Sequence, residues 1–328
     1  MELITKTELP LGQCEIKHSD RLILIGSCFT ENIGNKLMDS KFRCDINPFG
    51  ILYNPMSIHE ALTQIINKKT YTHDDVMEYR GVWLSLMHHS SFSSDDRDTC
   101  LDNINSRIEY SYDFLAKADW ILITFGTARV YTWNENGRIV GNCHKLNEKL
   151  FTRSILEVDD IVKSYVGLIS SIRNINPDIK FIFTVSPIRH AKDGMHGNQI
   201  SKSVLLLSIE KICSLNDRCY YFPSYEILMD ELRDYRFYAD DMLHPSAMAV
   251  DYIWEKFSES FFGRKTTEVI KSWNEISRGL RHKPFNPNSE AYAAFLSQIL
   301  LKIGVLKEKF PYLDVEKEMK LCRTLLKK

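Results

Sequence analysis

One pattern constrains this chain more than any other: a short apolar run halted by a glycine, proline or serine, then apolar residues at helical spacing. Leu22-Ile23-Leu24-Ile25 stops at Gly26-Ser27, and Phe29, Ile33 and Leu37 then mark one stripe of a helix. A weaker run from Phe42 to Ile46 closes at Asn47-Pro48-Phe49-Gly50, and Trp120 to Phe125 ends at Gly126. Ile161, Tyr165, Leu168, Ile169 and Ile172 share a helical face, and the strand Ile179 to Val185 stops at Ser186-Pro187. A helix around Leu205, Ile209 and Ile212 leads to Cys219-Tyr220-Tyr221-Phe222. A last helix is expected to open at Pro245 and to carry Val250, Ile253, Trp254 and Phe257. Such alternation builds an α/β, doubly wound sandwich with a mostly parallel five-stranded sheet.

Two regions stand outside the alternation. Residues from about 57 to 118 read as an insertion in a main domain spanning 1–262, and 263–328 read as a helical C-terminal extension. In the extension, Tyr292, Phe295, Ile299 and Ile303 form a stripe suited to packing on the same domain or on a second copy of the chain.

Composition removes several classes. Hydrophobic residues at 44% and charged residues at 26% fit a globular protein, and 42 Lys plus Arg against 43 Asp plus Glu give no bulk attraction to nucleic acid or membrane. No apolar run reaches the ~18–20 residues of a spanning helix, and the first twenty residues lack a signal-peptide pattern. A cytoplasmic protein is the expectation. Its eight cysteines contain no CxxC pair, so reduced thiols without a zinc site are expected. HExxH, Walker, GxGxxG and GxSxG motifs are absent. No cofactor is expected.

Open parallel sheets bind ligands beyond the carboxyl ends of their strands. There the chain carries Gly26-Ser27-Cys28, Gly50, Gly126-Thr127, Arg189-His190 and Asp241-Met242-Leu243-His244. Ser27 is the candidate nucleophile, activated by an imidazole that a carboxylate orients; alone, it reads equally as a helix-capping serine. His244 is the candidate base and Asp241 its partner, with Asp240 a rival. His88, His89, Arg189, His190 and His196 are placed for substrate contact or for loop structure. Cys28 is expected to pack rather than to react.

Gly26-Ser27-Cys28-Phe29 followed by Thr30-Glu31-Asn32 resembles the signature of the GSCFA family, related to the SGNH (GDSL-type) hydrolases. Asn47-Pro48-Phe49-Gly50, Phe125-Gly126-Thr127-Ala128, Ser186-Pro187-Ile188-Arg189-His190 and Asp241-Met242-Leu243-His244-Pro245-Ser246 extend the resemblance across about residues 15 to 260. It implies a three-layer, flavodoxin-like α/β/α fold and hydrolysis of an ester, often O-acetyl. It also implies a Ser27–His244–Asp241 triad with oxyanion donors at the Ser27 and Gly50 N–H groups.

One departure stands out. SGNH enzymes usually follow the third strand with Gly-x-Asn-Asp, whose asparagine supplies a third oxyanion donor; here the run is Gly126-Thr127-Ala128-Arg129. Thr127, Asn54 or a histidine such as His89 is left to substitute. Three functions follow: an esterase acting on a small polar or carbohydrate ester, an acyltransferase using the same site, and a ligand-binding module on a hydrolase scaffold. Asn54, His89, Arg189 and His190 are the expected substrate contacts. The C-terminal helices are a candidate surface for self-association.

Overall fold

The computed structural model describes residues 4–326; the outermost residues of the two expected regions, 1–3 and 327–328, lie outside them. Chain order begins β1 (Arg21–Gly26), α1 (Cys28–Asp39), β2 (Arg43–Ile46), α2 (Pro55–Ile66), β3 (Met77–Tyr79), β4 (Val82–Leu84), α3 (Arg97–Leu115) and β5 (Trp120–Phe125). It continues with β6 (Arg129–Trp133), β7 (Ile139–Val140), β8 (Phe151–Ile155), α4 (Val158–Ile175), β9 (Lys180–Val185), α5 (Gly194–Leu215) and β10 (Cys219–Phe222). A short α6 (Ser224–Glu226), α7 (Ala247–Phe261), α8 (Arg264–Arg281), α9 (Glu290–Lys309) and α10 (Glu316–Leu325) complete it.

The main sheet has the order β2-β1-β5-β9-β10, and every neighbouring pair is parallel. The continuous apolar runs follow from burial on both faces. Successive side chains point to opposite faces. Ile23, Ile25, Ile121, Ile123, Phe181 and Phe183 accordingly enter one core with α2, α3, α4 and α5. Leu22, Leu24, Trp120, Leu122 and Ile182 enter a second core with α1 and α7. The result is the expected three-layer α/β/α sandwich.

Of the segment expected as an insertion, α2 and α3 lie in the larger core, whereas β3 and β4 form a separate antiparallel hairpin. The expected start of α7 needs correction. Ser246 caps that helix, accepting the Ala249 N–H at 3.3 Å, and Pro245 precedes the cap. Helices α8, α9 and α10 share a third core around Trp273, Ile276, Ile299, Ile303 and Leu306. They join the sandwich through the Trp273 indole N–H, which donates to the Asp39 carbonyl at 2.8 Å, and through a Lys41–Glu318 ion pair.

The strand order reverses between β1 and β5, so the crevice for a ligand opens at their carboxyl ends. Gly26 ends β1 with φ +147°, and a Cβ there would come within 2.3 Å of the Thr124 carbonyl oxygen. Only glycine satisfies both the dihedral and this close approach. The residue that follows is therefore set at the rim.

Candidate active site

Ser27 caps α1. Its Oγ accepts the Phe29 N–H at 3.3 Å and its carbonyl accepts the Thr30 N–H at 2.8 Å, as expected of a helix start. The oxygen that caps the helix is the one expected to act as nucleophile. The side chain is buried yet borders a cavity of about 690 Å³.

His244 borders the same cavity from a loop between β10 and α7. Asp241 holds that loop: Oδ1 accepts the backbone N–H groups of Leu243 and His244, each at 2.9 Å, and Oδ2 accepts Nδ1–H of His244 at 2.5 Å. Those donors, the His244 backbone first, then the Leu243 backbone and the imidazole, hold the Asp241 carboxyl down at about 2. With Nδ1 committed, Nε2 is the nitrogen left for a substrate or a hydroxyl. Asp240 makes no such bond, so Asp241 is the partner.

Asn54, His89, Thr127, Arg189 and His190 also line the cavity. Asn54 caps α2 through Oδ1, which accepts the Ser57 N–H at 2.8 Å and leaves the NH2 for the cavity. His89 accepts the Ser91 N–H on Nδ1 at 3.2 Å, leaving Nε2. The Arg189 guanidinium lies 4.9 Å from the Tyr238 ring centroid and donates to the Met242 carbonyl at 3.1 Å. Burial, and next the Lys202 ammonium, hold the His190 imidazole down at about 4.

Two expected oxyanion donors are otherwise engaged. Gly50, at φ +77°, closes a tight turn by donating its N–H to the Asn47 carbonyl at 2.7 Å, and it does not line the cavity. The Thr127 N–H donates to the Tyr53 carbonyl at 2.9 Å, and its hydroxyl pairs with Ser201 Oγ at 3.0 Å while accepting the Arg129 N–H. Cys28 packs against the second core, as expected. It also borders the cavity, with Sγ 3.7 Å from the Tyr53 hydroxyl. His88 lies stacked on Phe49 at 4.1 Å, and His196 lies outside the cavity lining. Among the described residues no cluster of three or more His, Cys, Asp or Glu is arranged to hold a metal ion. No described helix is long and apolar enough to cross a membrane.

The GSCFA family model matches residues 21–257, and a model of the GSCFA domain protein, C-terminal domain, matches residues 273–328. The chain belongs to the GSCFA family. No curated protein matches it. Among solved structures, this GSCFA protein is similar to a Clostridium thermocellum family 3 carbohydrate esterase at 8% identity and a TM-score of 0.34, covering 77% of this chain and 98% of that one. A carbohydrate esterase family 3 structure from Talaromyces cellulolyticus gives 10%, 0.35, 77% and 98% in the same order. A Streptococcus pneumonia protein, provisionally named a platelet activating factor, gives 9%, 0.39, 75% and 86%. These likenesses are distant.

Two parts of the GSCFA site escape the sequence reading. A wall of the cavity is a three-stranded antiparallel sheet, β7-β6-β8, which brings in Arg129, Tyr131 and Arg153. Its signal was available, in the β-branched and aromatic run Val130-Tyr131-Thr132-Trp133 and the turn pair Asn136-Gly137. The second is Lys202, fully buried and, among the described residues, without a carboxylate partner, whose Nζ donates to the carbonyls of Gly126 at 2.8 Å and Ser186 at 2.6 Å. It ties together the chain just beyond β5 and β9. Its signal was a charge on the same stripe as Leu205, Ile209 and Ile212.

Proposed function

We propose that this GSCFA protein is a serine esterase that removes a small acyl group, such as O-acetyl, from a carbohydrate-like substrate. The observation that carries the reading is His244, oriented by Asp241 and bordering the same cavity as Ser27, at the point where the strand order reverses.

In this reading Ser27 Oγ attacks the acyl carbon while His244 Nε2 takes its proton. Collapse of the tetrahedral intermediate breaks the bond to the sugar oxygen, which receives that proton and leaves. Water then attacks the acyl–Ser27 ester with His244 again as base, releasing the acid and restoring the serine. Asp241 stabilises the imidazolium throughout. The Ser27 N–H at the open end of α1 and the Asn54 amide NH2 are the donors assigned to the oxyanion.

The test is acetate release from acetylated sugars. Turnover by wild type, abolished in folded Ser27→Ala, supports the reading; undiminished turnover in Ser27→Ala refutes it. A second reading, a ligand-binding module on a hydrolase scaffold, has one observation in its favour. The Gly50 and Thr127 N–H groups are committed within the protein, and one missing oxyanion donor costs roughly 10²–10³ in rate. Sugar binding without turnover of any short-chain ester favours it.

A further inference from the structure

The cavity is lopsided in charge. Arg129, Lys145, Arg153, Arg189 and Lys192 line it against only two carboxylates, Asp193 and Glu148. Glu148 pairs with Lys192 at 2.8 Å. Asp193 serves both arginines of the antiparallel wall: Oδ1 lies 3.0 Å from Arg129 Nε, and Arg153 grips the carboxylate with both terminal nitrogens. One carboxylate cannot neutralise two guanidinium groups. Arg189, also in the lining, pairs with no carboxylate among the described residues; it meets a tyrosine ring and a carbonyl, and its Nε is buried without an acceptor. Lys145 is exposed at the rim and, among the described residues, forms no ion pair. Asp241 lies outside the lining and is bound to His244, and Glu31, close enough to act on the lining residue Tyr53, also lies outside it.

Cations held in place around a concave, partly apolar cavity focus potential inward and favour an anion there. Arginine also suits planar or tetrahedral oxyanions by its paired N–H groups. We infer that the molecule bearing the ester is itself anionic, with a carboxylate or phosphate group that sits among Arg129, Arg153, Arg189 and Lys145 while the acyl group reaches Ser27. The inference rests on the esterase reading only for the acyl group; the anion site stands on its own.

The experiment measures binding to Ser27→Ala protein by calorimetry, so that it needs no turnover. Glucuronate, glucose 6-phosphate and glucose share one ring and differ at C6, which separates carboxylate from phosphate as the recognised group. At low salt one or both anions are expected to bind about ten- to a hundredfold more tightly than glucose, with the advantage shrinking as salt rises. Lys145→Gln, an exposed change that leaves no buried charge, is expected to cost the anion about three- to tenfold and glucose nothing. Arg129→Gln with Arg153→Gln is expected to erase the preference, with thermal unfolding reporting whether that variant folds. Equal affinities for the three sugars, or binding of none, overturn the inference. Failure of ester turnover with the anion preference intact overturns the esterase reading instead.

Discussion

Oδ2 of Asp241 lies 2.5 Å from Nδ1 of His244, while Oδ1 of the same carboxylate is occupied by two backbone N–H groups. The carboxylate thus has one orientation and the imidazole one tautomer. In Asp241→Asn the amide oxygen must stay on the backbone donors, so its NH2 faces Nδ1. The ring then carries its proton on Nε2 and cannot accept one from Ser27. The expected outcome is a fall in kcat of about 10³–10⁴ with KM little changed. Steady-state kinetics on a short-chain ester check it, and a loss below tenfold would count against the assigned base.

Gly26 fixes the position of Ser27 through backbone geometry alone. Gly26→Ala combines a disfavoured φ of +147° with a methyl group 2.3 Å from the Thr124 carbonyl oxygen. It is expected to destabilise the chain by at least about 2 kcal/mol, since neither the strand nor the carbonyl can move freely. Urea titration reads this directly.

Burial brings the Lys202 amine down from 10.5 to about 7. Between these values the unfolded chain binds a proton that the folded chain does not, so this group makes stability rise with pH from about 7 to 10.5. The neutral amine still donates to Gly126 and Ser186. Wild type should therefore gain stability across that window relative to Lys202→Met, as seen in denaturation midpoints against pH. Parallel profiles would contradict the buried amine.

On the acid side the sign is the same and the groups are histidines. Burial holds His190 down at about 4 and His88 at about 3, against an ordinary 6.5. As pH falls below about 6.5 the unfolded chain takes up protons that these two rings refuse, and stability falls with it. The His190 contribution levels off near pH 4 and that of His88 near pH 3. A shallower acid slope in His190→Gln is the expected result.

The sandwich was legible because its strands are buried on both faces and end at residues that break them, as at Gly26 and Gly126. Ser27, His244 and the loop residues between them were legible as a rim because parallel strands send their carboxyl ends one way. The hydrogen-bond assignments were not. Nothing local reveals that the Gly50 N–H closes its own turn or that Thr127 meets Ser201 from α5. Pro245 suggested a helix start, but the serine after it satisfies the first amides better. Lys202 was overlooked because a lone charge among apolar neighbours reads as a solvated edge until the carbonyls it meets are known.

The central claim, that Ser27 is the activated nucleophile, is tested most directly by intact mass and peptide mapping after treatment with a serine-directed fluorophosphonate. The account predicts one adduct, located on Ser27, formed by wild type and absent from Ser27→Ala and His244→Ala. Equal labelling of wild type and Ser27→Ala, or no labelling of wild type, would contradict it.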